Sequence, residues 1–99
     1  MREILIFMRQ EDAEIVAATF LAWLTEDSER LGSFLDWSGE SPDSLRARLS
    51  DPGLLLAVMD FIMGDEALLL EACRALNLPP ETPGRARAAL PGGADMHWT

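Results

Sequence analysis

The stretch DPGLLLAVMDFIMGDEALLLEACRALNLPP, residues 51–80, decides the fold of this chain. Pro52 fits the first position of a helix capped by Asp51, because the N–H that proline lacks would have no helical partner there. Gly64 is expected to end this helix in the left-handed conformation, and Asp65 is expected to cap the next one. The stretch therefore predicts two consecutive helices.

The first of these two helices is predicted to lie at the centre of a helical core. Residues 54–63 are apolar except for Asp60, so the helix must be enclosed on most sides. We expect Asp60 to reach solvent or to bond a neighbouring helix, in preference to acting as a buried acid. The side chains predicted to be largely buried are Phe20, Leu24, Leu55, Val58, Phe61, Ile62, Leu69 and Leu76.

The other helices are predicted from caps and from apolar residues at three- and four-residue spacing. A first helix begins at Gln10, and its inward stripe is Ala13, Val16, Ala17, Phe20, Leu21 and Leu24. The later starts are Asp27 or Ser28, Ser41 with Pro42, and Thr82 with Pro83, and the stops are Gly39, Asn77 and Leu90. Leu45 and Leu49 are expected to share one face of the third helix.

These elements predict an all-α fold with five main helices and a short sixth, packed as a single compact orthogonal bundle. The 99 residues make one domain, which is long enough to bury a core without disulfides or metal. Residues 1–8 are expected to be a non-native or flexible N-terminal extension, of which residues 1–7 are expected to be dispensable for the fold. Residues 91–99 are expected to form a tail that folds back on the bundle.

Charge and composition exclude several kinds of site. The net charge is −9, and all eight basic residues are arginines. With no lysine there is no Schiff-base nucleophile, and with no tyrosine there is no phenolic acid or base. Nucleic acid and anionic membranes would be repelled, and no apolar run is long enough to span a bilayer. The lone Cys73 favours the cytoplasm, since one cysteine cannot form an internal disulfide.

Several segments together resemble one known family. They are RQEDAE (9–14), DSERLGSFL (27–35), SDPGLLLAVMDFIMGDEALL (50–69), LPPETPGRARAALPGG (78–93) and the terminal HWT. These segments are similar to a family of small alphaproteobacterial proteins known only as a domain of unknown function. The resemblance covers the chain from about Met8 onward. It implies a small cytoplasmic helical protein without an assigned activity, and it implies that the family pattern starts near Met8.

The C-terminal tail carries the sharpest candidate for a binding role. Met96, His97 and Trp98 follow two glycines, so they can turn back onto the bundle or anchor a partner. We expect Trp98 to pack on its own domain. No catalytic residue, cofactor site or metal site is predicted, because Asp95 and His97 alone supply too few metal ligands.

Two further groups are candidates for binding surfaces, and a third group is expected to lie in the core. Trp23 and Trp37 flank the main stripes of their helices and are expected to be partly exposed anchors. Arg46, Arg48, Arg85 and Arg87 would form an anion-binding face if their two helices adjoin, although salt bridges to the surplus acids are the favoured alternative. Met59, Met63 and Cys73 are expected to be core residues.

No reactive constellation emerges, so we expect no enzymatic activity and a role in binding. The favoured hypothesis is a small acidic protein–protein interaction module that binds a protein partner or a second copy of itself. A helix-turn-helix within residues 45–64 is the nucleic-acid alternative, but its recognition helix would present leucines to the DNA groove. A small-ligand carrier or an enzyme with a pocket hidden from sequence is the third alternative.

Overall fold

The computed structural model describes residues 8–93, and this part of the chain forms six α-helices without a strand. The helices are α1 (Gln10–Thr25), α2 (Ser28–Ser38), α3 (Pro42–Ala47), α4 (Pro52–Met63), α5 (Glu66–Leu76) and α6 (Thr82–Ala89). The predicted all-α class is confirmed. None of these six helices combines the length and the apolar character needed to cross a bilayer.

Most of the predicted helix starts are confirmed by side-chain caps. Asp27 accepts hydrogen bonds from two backbone N–H groups at the start of α2, and Asp51 and Asp65 each accept one at the starts of α4 and α5. Ser41 and Ser44 form a reciprocal capping box at the start of α3. These four starts are therefore fixed by local chemistry that can be identified in the sequence.

Two predictions about helix ends are wrong. Gly64 has a φ of −76° and is not left-handed, because Asp65 caps the next helix at once and the chain needs no reversal. Thr82 is the first residue of α6 and not its cap, since its N–H donates to the Pro79 carbonyl at 3.0 Å within a preceding turn. The stop at Asn77 is confirmed, with a φ of +60°.

The core lies where α1, α4 and α6 pack against one another. Phe20, Leu24, Leu55, Val58 and Ile62 are buried as predicted, while Phe61, Leu69 and Leu76 are only partly buried and pack against the edge of the core. Met59 is fully buried, but the prediction for Met63 is wrong. Met63 is 41% exposed at the last turn of α4, where its methyl group lies against Gly84 of α6.

Asp60 joins α4 to α6. Its carboxylate accepts hydrogen bonds from Arg87 Nε and from Arg87 Nη2, the second at 3.3 Å, and Arg87 also donates to the Gly93 carbonyl at 3.2 Å. The expectation that Asp60 bonds a neighbouring helix is confirmed. The pair holds the chain after α6 against the central helices.

The third helix is shorter than its apolar pattern suggests. It ends at Ala47, and Arg48 adopts a non-helical conformation as its C-cap. Leu45 is buried, but Leu49 falls in the following turn and is 50% exposed, so the prediction that Leu49 shares the inward helix face is wrong. The early end of α3 leaves a leucine at the surface, beside α1.

Candidate functional site

The residues predicted as sites in the C-terminal tail lie outside the described part of the chain. Met96, His97 and Trp98 therefore stay a prediction, as does the proposed extension before Met8. The remaining predicted site residues are all described, and the structure places them in separate regions.

The prediction that Trp23 is a partly exposed anchor is wrong. Its side chain is only 4% exposed, because Arg30 of α2 covers it. The Arg30 guanidinium lies 3.8 Å from the centre of the indole, and Arg30 Nη2 donates to the Trp23 carbonyl at 2.8 Å. The indole and the guanidinium together close the junction between α1 and α2, a cation–π contact with a structural role.

Trp37 is 54% exposed near the end of α2. Its ring centre lies 5.3 Å from that of Phe61, and Phe61 packs edge-on against the buried Phe34 at 5.4 Å. One side of the indole is thus held by an aromatic cluster while the other side faces solvent. The role of Trp37 as an anchor for a partner stays a prediction.

The four arginines considered as an anion-binding face are largely engaged with carboxylates. Arg46 contacts Asp43 at 2.7 Å, Arg48 contacts Glu40 and Asp51, and Arg87 contacts Asp60. Arg85 lies apart from these, in a small cleft beside Met8 and Val16. The salt bridges favoured as the alternative are therefore present for three of the four arginines.

Cys73 is buried in α5, as predicted, and burial raises the pKa of its thiol. The nearby Glu81 carboxylate adds to this effect, since a negative neighbour disfavours the thiolate. Across residues 8–93, no three histidine, cysteine or acidic side chains are grouped so as to hold a metal ion.

The site that the structure adds is an apolar groove of about 480 Å³ between α1, α2 and α3. Its lining residues are Ala18, Leu21, Ala22 and Thr25 of α1, Leu31 of α2, and Pro42, Leu45, Arg46 and Leu49 from α3 and its following turn. Ala18, Ala22 and Leu49 are exposed although they are apolar. We refer to this site as the α1–α3 groove.

The few polar groups of the α1–α3 groove already have partners within the chain. The Thr25 hydroxyl donates to the Ala22 carbonyl at 2.7 Å. The Thr25 methyl group remains available for apolar contact in the groove. Arg46 Nη2 donates to the Asp43 carboxylate at 2.7 Å. Binding in the groove would therefore depend on shape and apolar contact more than on hydrogen bonds.

One sequence signal could have indicated this groove. Ile15, Ala18 and Ala22 follow three- and four-residue spacing on α1, and they form a second apolar stripe beside the stripe that enters the core. Ile15 is 65% exposed. The other wall could not be found in the same way, because it depends on where α3 ends.

The fold and the groove together define a small all-α protein with an open apolar cleft on one side. The family model described as "Protein of unknown function (DUF3572)" matches residues 10–93, so the chain belongs to this family. The resemblance to a domain of unknown function that was noted from the sequence is thereby confirmed for residues 10–93. No curated protein and no solved structure is significantly similar to the chain.

Proposed function

We propose that this protein is a protein–protein interaction module that binds without catalysis, and that the α1–α3 groove receives the apolar face of an amphipathic helix from another protein. The observation that carries the proposal is the groove itself. An apolar cleft of about 480 Å³ with a half-exposed leucine at its edge leaves apolar surface in water, which a partner would cover.

The shape of the groove favours a helix as the occupant. Ala18 and Ala22 lie four residues apart on α1, so they form part of one ridge of small side chains. Small residues allow a second helix to approach closely, and Leu45 and Leu49 supply larger apolar contacts from the opposite wall. An amphipathic helix laid into an apolar groove is a recurrent mode of peptide recognition.

Other classes of ligand are less well supported. The groove offers few free hydrogen-bonding groups for a polar small molecule, as described above. The helix considered for DNA recognition is α4, and five of its side chains lie in the core: Leu54, Leu55, Val58, Met59 and Ile62. A helix so deeply packed has few side chains to present to a DNA groove.

A different protein is a better occupant than a second copy of this chain. Each copy has a net charge of −9, so pairing two copies brings like charges together. The lone buried Cys73 supports a reducing compartment such as the cytoplasm for this interaction.

The proposal can be tested by placing a photo-crosslinking amino acid at Leu49 of the full chain, in cells of the source organism. The control places the same amino acid at Leu70 of α5, which is 39% exposed and lies outside the groove, against 50% for Leu49. We expect Leu49 to crosslink a discrete partner that Leu70 does not reach, and Ala22→Glu to abolish that crosslink. Equal products from both positions, no product, or a crosslink between two copies would overturn the proposal.

A further inference from the structure

We propose that a second cleft, where α6 begins beside α1, binds a small molecule that carries one carboxylate group on a short apolar chain. Its polar lining residues are Arg85, Thr82 and Glu81, and we refer to it as the Arg85 cleft. The Arg85 cleft and the α1–α3 groove have no lining residue in common. A ligand in the Arg85 cleft would therefore bind independently of the helix partner proposed above.

The Arg85 guanidinium has no negative partner in the described part of the chain. Its side chain forms no salt bridge and no hydrogen bond with any of residues 8–93, although the chain has 17 acidic residues for eight arginines. Arg74 of α5 also lacks a salt bridge within these residues, but Arg74 is exposed, so water solvates its charge. Arg85 is half-buried. A half-buried guanidinium without a counter-ion indicates a place for an external anion.

Thr82 adds an unused hydroxyl group to the same cleft. The residue is only 7% exposed, and its hydroxyl has no hydrogen-bond partner among residues 8–93. Most buried hydroxyl groups in proteins are hydrogen-bonded. The Thr82 hydroxyl is not sealed from solvent, so it is open to the cleft that Thr82 lines. Because Thr82 and Arg85 lie three residues apart on α6, both side chains can contact one ligand.

The lining of the Arg85 cleft matches both parts of such a ligand. A guanidinium binds a carboxylate through two parallel N–H···O hydrogen bonds, and a neighbouring hydroxyl can donate a further one. The apolar lining residues suit a short hydrocarbon chain: Met8, Val16, Leu78 and Pro79. The cleft has a volume of about 190 Å³, equal to about six water molecules, which accommodates a small acid but not a helix.

Glu81 limits the charge that the ligand can carry. Its exposed carboxylate lines the same cleft, yet it forms no salt bridge with Arg85. A second negative charge on the ligand would meet Glu81 with no further arginine of the cleft to balance it. The net charge of −9 on the chain adds to this repulsion. A monocarboxylate therefore fits these charges better than a phosphate group, which is close to dianionic at neutral pH.

Calorimetry with the full chain and three probes tests this assignment. Hexanoate has both the carboxylate and the apolar chain, hexan-1-ol has the chain without the charge, and inorganic phosphate has charge without the chain. We expect hexanoate to bind at least about tenfold more tightly than either of the others, because hydrogen bonds to a charged group contribute more than neutral ones. Equally tight binding of hexan-1-ol or of phosphate, or no saturable binding of hexanoate, would overturn the assignment.

Matched variants locate the binding in the Arg85 cleft. Arg85→Gln should weaken hexanoate binding about tenfold or more, and Thr82→Val, which removes the hydroxyl but keeps the shape, about threefold. The control Arg74→Gln makes the same charge change at an exposed position outside the cleft, and it should leave the affinity unchanged. Thermal unfolding checks that each variant stays folded. The assignment fails if Arg74→Gln weakens binding as much as Arg85→Gln does, or if both cleft variants bind hexanoate like the wild type.

Discussion

Helices α3 and α4 follow each other in the chain, and both begin with an acidic or hydroxyl cap followed by proline. They nevertheless differ in how much of their apolar surface is buried. Helix α4 has twelve residues and buries five of them in the core, whereas α3 has six residues and buries only Leu45. The leucine after α3 is half-exposed at the α1–α3 groove. The same kinds of residue thus build a closed core in one place and an open apolar surface in the other.

The difference arises from how the two helices are covered. Helix α4 packs against α1, α2, α5 and α6, so apolar residues on most of its faces find neighbours. Helix α3 stops before Leu49 can turn inward, and its contacts leave one flank of α1 uncovered. Apolar residues therefore stabilise the fold on one side of α1 and are available for binding on the other.

The largest expected contrast comes from removing a leucine from each region. Leu55→Ala in the core should lower the free energy of unfolding by about 2–5 kcal/mol, because it leaves a cavity among fully packed side chains. Leu49→Ala at the groove should change it by no more than about 0.5 kcal/mol. Urea unfolding measures both values, and similar losses for the two variants would mean that the groove is part of the core.

A smaller contrast is expected from two ion pairs. The Arg87–Asp60 pair joins α4 to α6 with the Arg87 side chain 19% exposed, while Arg46–Asp43 lies within α3 with side chains 70% and 93% exposed. Asp60→Asn should cost about 1–2 kcal/mol, because a largely buried guanidinium loses the negative charge of Asp60. Asp43→Asn should cost about 0.5 kcal/mol or less, since surface pairs contribute little. Thermal unfolding measures both losses of stability. A larger loss for Asp43→Asn than for Asp60→Asn would contradict this account.

Two glycines, one within α2 and one directly after it, provide a test at the helix that borders both regions, since Phe34 enters the core and Leu31 lines the groove. Gly32 lies mid-helix, and a Cβ there would meet no atom within 4 Å, so Gly32→Ala should stabilise the protein by about 0.5–1 kcal/mol. Gly39 ends the helix with a φ of +80°, so Gly39→Ala should destabilise it by about 1 kcal/mol. Changes of the same sign would show that α2 does not end as described.

The smallest expected effect is on stability at acid pH, and it comes from Asp51, which caps α4 after the end of α3. A hydrogen bond from Arg48 Nε at 2.8 Å, together with the Gly53 N–H, lowers the pKa of Asp51 below its usual value. A carboxylate with a lowered pKa stabilises the fold above its unfolded pKa, and this contribution disappears as the pH falls through the folded value. Stability should therefore drop below about pH 4. Asp51→Asn should make that drop shallower, and an unchanged pH profile would contradict the assignment.

Much of the fold could be predicted from the sequence, because caps and helical periodicity are local. Asp27, Ser41, Asp51 and Asp65 each act within three residues of themselves, so the sequence alone placed these four helix starts. The prediction for Gly64 failed because a glycine only permits the left-handed conformation. The right-handed conformation that Gly64 adopts follows from Asp65, which caps the next helix at once.

The candidate site was harder to predict, because it depends on which surfaces other elements leave uncovered. Trp23 was expected to be exposed from its position on α1, but its burial depends on Arg30, seven residues away on another helix. The groove depends on α3 ending at Ala47 and on α1 keeping one flank free. Periodicity alone does not reveal either condition.

The central claim is that the apolar flank of α1 is a binding surface, and amide NMR tests it most directly. The full chain, labelled with ¹⁵N, is titrated with a synthetic amphipathic helical peptide while every assigned backbone amide is followed. The account predicts shift changes concentrated at Ala18, Ala22, Leu45 and Leu49, with little change at Leu70 on α5. Changes spread evenly over the molecule, centred on α5, or absent at saturating peptide would contradict it.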